Sequence, residues 1–116
     1  MWDIEYYQTE KDKCPVAEFI ESLDVKSEAK IAWTLDLLLE FGIKLGMPYA
    51  KYIEEQLWEL RISYRKNQYR IIYFLASSRN FVLLHGFTKK SSSIARDDIE
   101  IAKKRREDYL ARRQSK

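Results

Sequence analysis

The segment from Leu57 to Lys90, LWELRISYRKNQYRIIYFLASSRNFVLLHGFTKK, restricts the fold of this chain more than any other stretch. Apolar residues recur with a period of two, and the alternation breaks at Lys66-Asn67 and around Ser78-Arg79. This pattern predicts three short strands joined by two tight turns. Successive side chains on a strand point to opposite faces, so the turn positions decide which residues become neighbours. A two-residue turn at Lys66-Asn67 sets Arg61 opposite Ile72 and Ser63 opposite Arg70. A turn at Ser78-Arg79, or a wider one from Ser77 to Asn80, sets Ile72 opposite His85 and Arg70 opposite Phe87. One face then carries Glu59, Arg61, Ser63, Arg70, His85 and Phe87, a mixed cationic and aromatic surface. The other carries Trp58, Leu60, Ile62, Ile71, Tyr73, Leu75, Val82 and Leu84, a core face for two helices.

Those helices lie upstream. WDIEYY alternates and predicts a first strand with Trp2, Ile4 and Tyr6 on one side. Pro15 suits the first position of a helix, and Val16, Phe19, Ile20 and Leu23 form its apolar stripe. Asp24 can cap a second helix that buries Ile31, Leu35, Leu38 and Phe41 and ends at Gly42. Residues 43–56 have weak periodicity and read as a loop. Ser93 is placed to cap a last helix with Ile99, Ala102, Arg106 and Tyr109 on one side. The order is β-α-α-β-β-β-α. It describes an α+β domain with a small, mostly antiparallel sheet, two N-terminal helices on one face and a C-terminal helix.

At 116 residues the chain supports one domain, spanning 1–116, and not two cores. With 46% hydrophobic and 14% aromatic residues it can pay for a packed core, and disorder is not expected. A net charge of +3 does not by itself indicate a nucleic-acid partner. The distribution is more telling, with Lys103 to Arg106, Arg112, Arg113 and Lys116 crowded toward the C-terminus. The bland account of that run is a solvated helix end whose cations suit the helix dipole. The single Cys14 allows no internal disulfide, and one Cys with one His makes a zinc site implausible. No cofactor is expected. The longest apolar run, Leu35 to Leu39, is too short to span a bilayer and no secretion signal is evident, so a soluble cytoplasmic protein is expected.

The cationic face suits chemistry on RNA. Cleavage by the 2′-hydroxyl needs a proton acceptor, stabilisation of a doubly charged phosphorane and a proton donor for the leaving oxygen. Arg61 and Arg70 have the planar fork that matches phosphate. His85 titrates near neutrality, and Lys89 and Lys90 follow the strand end, where they can hold flanking phosphates or supply a proton. Tyr64 and Phe87 are candidates to stack on splayed bases. The competing structural account is that His85 is a packed strand residue and that Arg61 merely pairs with Glu59 or Glu55.

The ordered set LWELR, YRIIYF, FVLLHGFTKK and DDIEIAKKR resembles the RelE/ParE superfamily of type II toxins, and within it the phage-derived, HigB-like branch. The likeness covers most of the chain and is densest from Tyr49 to Lys104. It implies a RelE-like fold and a ribosome-dependent mRNA endonuclease acting in the A site. It also implies a cognate antitoxin, in this branch usually a small helix-turn-helix protein. By the same likeness Arg61, Arg70, Lys89 and Lys90 are the basic residues of the site, and Lys51 is the basic residue of the preceding loop. The chain departs from the family at Ser91-Ser92-Ser93-Ile94-Ala95, where a further basic residue and a helix-starting proline are absent. The ParE branch shares this fold but inhibits DNA gyrase without nuclease chemistry, so a gyrase-binding protein is the alternative, and a non-toxic partner-binding remnant a third reading.

Overall fold

The computed structural model describes residues 1–114, with Gln114 as backbone only; Lys116, the last cation of the basic run, lies outside the described residues. The elements are β1 (Asp3–Tyr6), α1 (Pro15–Glu21), α2 (Val25–Phe41), a 3-10 turn (Gly42–Lys44), β2 (Ala50–Glu54), β3 (Leu57–Tyr64), β4 (Asn67–Ser77), β5 (Asn80–Thr88) and α3 (Arg96–Gln114). The sheet order is β1-β5-β4-β3-β2. β1 runs parallel to β5 and every other pair is antiparallel, so the domain is α+β with a mixed sheet.

Local chemistry explains most boundaries. Pro15 opens α1 at its first turn. Gly42 ends α2 with φ at 55°, a left-handed value that L side chains rarely adopt. A Cβ at Gly42 would also lie 1.9 Å from the Trp2 indole, so the first strand packs directly on the helix end. A Cβ on Gly86 would meet Phe19 at 2.7 Å, which lets α1 sit close to β5.

The sheet separates two cores. Ile31, Leu35 and Leu38 of α2 and Val16 of α1 pack on Leu60, Ile62, Ile71, Tyr73, Phe81 and Leu83, with Trp2, Ile4, Phe19 and Ile20 at the margin. On the opposite side Ile99, Ala102 and Tyr109 of α3 cover Leu57, Ile72, Phe74, Val82 and Leu84. Fully burying one Leu, Ile or Val side chain is worth about 1.5–3 kcal/mol, so each helix is held mainly by its apolar stripe. Phe41, expected on the buried side of α2, is 45% exposed because the helix ends there.

Four differences from the sequence-based expectation have identifiable causes. First, residues 43–56 include β2, whose turn at Glu55 and Gln56 holds both residues at positive φ. That turn lacks the Gly or Asn that usually marks such a conformation. Second, the β3–β4 turn is Arg65-Lys66, not Lys66-Asn67, because Tyr64 pairs with Asn67. The faces are unchanged, but Arg61 now stands opposite Arg70, and Ile72 opposite Glu59. Third, β5 carries a bulge: Ile72 pairs with His85 as expected, but Tyr73 pairs with Leu83. The extra residue turns Val82 and Leu84 to the α3 side and gives their expected places to Phe81 and Leu83. Fourth, the face expected to stay open is half covered, because α3 lies on it.

Candidate functional site

The uncovered half of that face contains the charge cluster. β3 and β4 bring Arg61 and Arg70 directly opposite each other. Two like charges across neighbouring strands repel, and Glu59, two residues before Arg61 on the same face, relieves the repulsion. Its Oε1 lies 2.9 Å from Arg70 Nε and its Oε2 lies 3.8 Å from Arg61 Nη1. The close contact is not a well-aligned hydrogen bond, since neither Arg70 Nε nor Glu59 Oε1 meets hydrogen-bond geometry. Charge attraction at short range is what joins them. Arg70 also donates through Nη1 to the Tyr69 carbonyl at 2.9 Å.

Exposure divides the roles. The Arg70 side chain is 3% exposed and that of Glu59 7%, whereas Arg61 is 25% exposed. Burial lowers the Arg70 pKa, Glu59 opposes that shift, and Arg61 adds to it. A guanidinium stays charged through such a change. Arg70 is therefore an internal cation committed to Glu59, and Arg61 is the arginine that solvent or a ligand can reach.

Around this pair lies an open groove of about 440 Å³, lined by Lys51, Glu59, Arg61, Lys89, Ser92 and Ser93 among others. β2 supplies Lys51, which pairs with Glu59 across the β2–β3 ladder. The end of β5 supplies Lys89, whose backbone N–H donates to the Gln68 carbonyl at 2.7 Å. Glu59 is the sole acid among the lining residues, and Arg70 already compensates it. Lys51, Arg61 and Lys89 thus present uncompensated positive charge. Partial burial lowers the Lys89 pKa most, and the cations Arg70, Arg61 and Lys51 lower it further against the opposing Glu59. In this surrounding it is the ammonium form that is disfavoured. Replacing Arg61 with Gln is therefore expected to raise the Lys89 pKa, as read by NMR titration of the Lys89 Nζ. An unchanged or lowered value would show that the two groups are not coupled.

The remaining sequence candidates lie elsewhere. Lys90 is exposed in the loop after β5, next to the groove wall in sequence but not among its lining residues. His85 sits beneath α3, with its ring 13% exposed. Nε2 lies 2.7 Å from Asp98 Oδ1, and Nδ1 faces Arg105 Nη1 at 3.3 Å. Burial lowers the His85 pKa, Asp98 opposes that and Arg105 adds to it. A neutral imidazole that donates from Nε2 to Asp98 and accepts at Nδ1 fits both contacts. His85 thereby ties α3 to the sheet. Phe87 is half-buried and stacks on that ring with centroids 5.1 Å apart. Tyr64 lies on the other side of the sheet against the α1/α2 core, with the Arg65 guanidinium 5.4 Å from its ring. Of the eight sequence candidates, the groove gathers Lys51, Arg61 and Lys89, with Arg70 behind them. Sequence reasoning did not find the serines that line the groove with them, since Ser91–Ser93 reads only as a polar break before the last helix and nothing in it marks a wall.

The basic run of α3 serves largely to fasten that helix. Arg96 forks onto Glu54 at 3.0 and 2.5 Å. Lys103 reaches Glu54 at 2.7 Å and also pairs with Glu55. Arg105 donates to the Leu84 carbonyl at 2.9 Å, and Arg106 to the Glu55 carbonyl. Hydrogen bonds from Arg96 and Lys103 hold Glu54 at a pKa of about 2, and the Tyr7 hydroxyl, followed by Arg112, keeps the Asp108 carboxyl low. Among the described residues no cluster of His, Cys, Asp and Glu can hold a metal ion, and no helix is long and apolar enough to cross a membrane.

A mixed five-stranded sheet covered by helices on both faces, with a cationic groove left open beside the last helix, defines a class of small α+β protein built around one charged face. This chain belongs to the phage-derived Gp49-like family, because the family model described as Phage derived protein Gp49-like (DUF891) matches residues 18–107. That span runs from α1 through most of α3 and contains the whole groove. A search of curated proteins found no match.

Proposed function

We propose that this protein is the toxin of a type II toxin–antitoxin pair, of the RelE/ParE superfamily and its HigB-like branch, and that it cleaves mRNA on the ribosome. The observation that carries this reading is the groove in which Lys51, Arg61 and Lys89 face a single acid already compensated by Arg70. A single-stranded phosphodiester is the polyanion that fits an open cationic channel on a small protein. In this reading Arg61 and Lys51 hold the non-bridging oxygens as negative charge builds on the phosphorane. The 2′-hydroxyl attacks the neighbouring phosphorus and loses its proton to solvent water, while Lys89, its ammonium already disfavoured, gives its proton to the departing 5′ oxygen. Arg70 keeps Glu59 from cancelling this field. The antitoxin is a small helix-turn-helix protein, and the cytoplasm, where ribosomes are, is the place of action.

Inducing the chain without a partner is expected to arrest growth and leave transcripts with new ends inside coding regions, as read by mapping of 5′ ends. The arrest should spare DNA integrity. Intact transcripts together with accumulating DNA breaks would replace this reading with a gyrase-directed one, and unhindered growth at high expression would remove both.

A further inference from the structure

We propose that a second site, on the α1/α2 side of the sheet, binds a small neutral aromatic molecule carrying one N–H donor. A pocket of about 300 Å³ opens between the 3-10 turn and strands β3, β4 and β5, lined by Leu45, Gln56, Trp58, Tyr73, Leu75 and Phe81 among others. That volume lies at the small end of ligand sites, which run from about 300 to 1,000 Å³. No charged side chain lines it. A charged ligand would lose its hydration there without compensation, so the occupant is neutral. Trp58, Tyr73 and Phe81 give it three aromatic walls, with Tyr73 and Phe81 set edge to face at 5.5 Å and 84°. A flat ring system fits such walls better than a flexible polar molecule.

The polar anchor is Tyr73. It is 3% exposed, and its phenol makes no hydrogen bond to any described residue. Buried tyrosines usually find a protein partner, and this one does not. The enclosed side-chain atoms that lack partners do not include the Tyr73 oxygen, so that oxygen meets the space of the pocket. Desolvation alone raises the Tyr73 pKa, which keeps the phenol protonated with its oxygen lone pairs free to accept. A ligand N–H would satisfy an acceptor that the fold leaves unmatched. The backbone beneath is fixed, since the Gly42 turn is pressed against Trp2. This site is separate from the cationic groove, and its occupancy does not depend on the RNA reading.

The test uses indole and indene, which share one shape but differ in the N–H. Each is titrated into the full chain while the methyl signals of Leu45 and Leu75 are followed by NMR. Saturable shifts confined to these methyls are expected, with indole bound about five- to tenfold tighter than indene, the worth of one hydrogen bond. Tyr73→Phe should erase that preference and leave indene affinity unchanged. Leu75→Trp, which fills the pocket from its partly exposed rim, should abolish binding of both. Absence of saturable shifts at these methyls, or an unaltered indole preference in a folded Tyr73→Phe chain, would overturn the proposal.

Discussion

Arg70→Ala is expected to destabilise the protein by about 3–5 kcal/mol, the effect of removing one partner of a buried ion pair. The cause lies in what remains. Glu59, 5% exposed on the floor of the groove, would keep its negative charge with little water in reach and Arg61 no nearer than 3.8 Å to answer it. The Nη1 bond to the Tyr69 carbonyl would go as well. Urea unfolding of the variant measures the loss, and a decrease below about 1 kcal/mol would mean that water enters the pair freely. The double variant Glu59→Leu/Arg70→Met removes both charges and keeps the volume. It should recover most of the lost stability, because apolar replacements of buried ion pairs are often neutral or better. A loss of toxicity in Arg70→Ala alone would therefore say nothing about chemistry.

Arg61→Ala combined with Lys89→Ala separates chemistry from folding. Neither side chain is fully enclosed and the Arg61–Glu59 contact is long, so stability should change by less than about 1 kcal/mol. Cleavage is expected to fall by at least 10²–10³-fold, the scale on which removal of a single donor to a developing oxyanion acts. Transcript-end mapping after induction reads the cleavage, and thermal unfolding confirms the fold. A folded double variant that still arrests translation would end the assignment of this groove to RNA cleavage. The two experiments together distinguish the inner arginine, which balances Glu59, from the outer cations, which are proposed to meet the substrate.

The fold was legible wherever hydrophobic period and end signals agreed. The alternation from Leu57 to Leu75, the Pro15 start of α1 and the Gly42 end of α2 all correspond to observed elements. β2 was not legible, because Glu55 and Gln56 take left-handed backbone without the residues that announce it. The bulge at Leu84 was not legible either, since an inserted residue changes no local preference and only reassigns faces downstream. For the site, alternation alone put Glu59, Arg61 and Arg70 on one face, and it was right. Pattern could not show that α3 would cover His85, because helix placement depends on which side of the sheet offers unfilled apolar area. Nor could it rank Arg61 and Arg70, which carry the same charge in sequence and differ only in depth. The C-terminal cations look like a tail for a polyanion, yet Lys103, Arg105 and Arg106 find their partners on β2, its turn and β5.

The parallel pairing of β1 with β5 bears on how the protein is born. Asp3 to Tyr6 leave the ribosome well before their partners Asn80 to Leu83, and Glu5 waits longer still for Tyr109. A nascent chain cannot finish this sheet until β5 has been translated. Products that stop before β5 are therefore left with an unpaired β1, and the groove has both its walls only once Ser92 and Ser93 have been made.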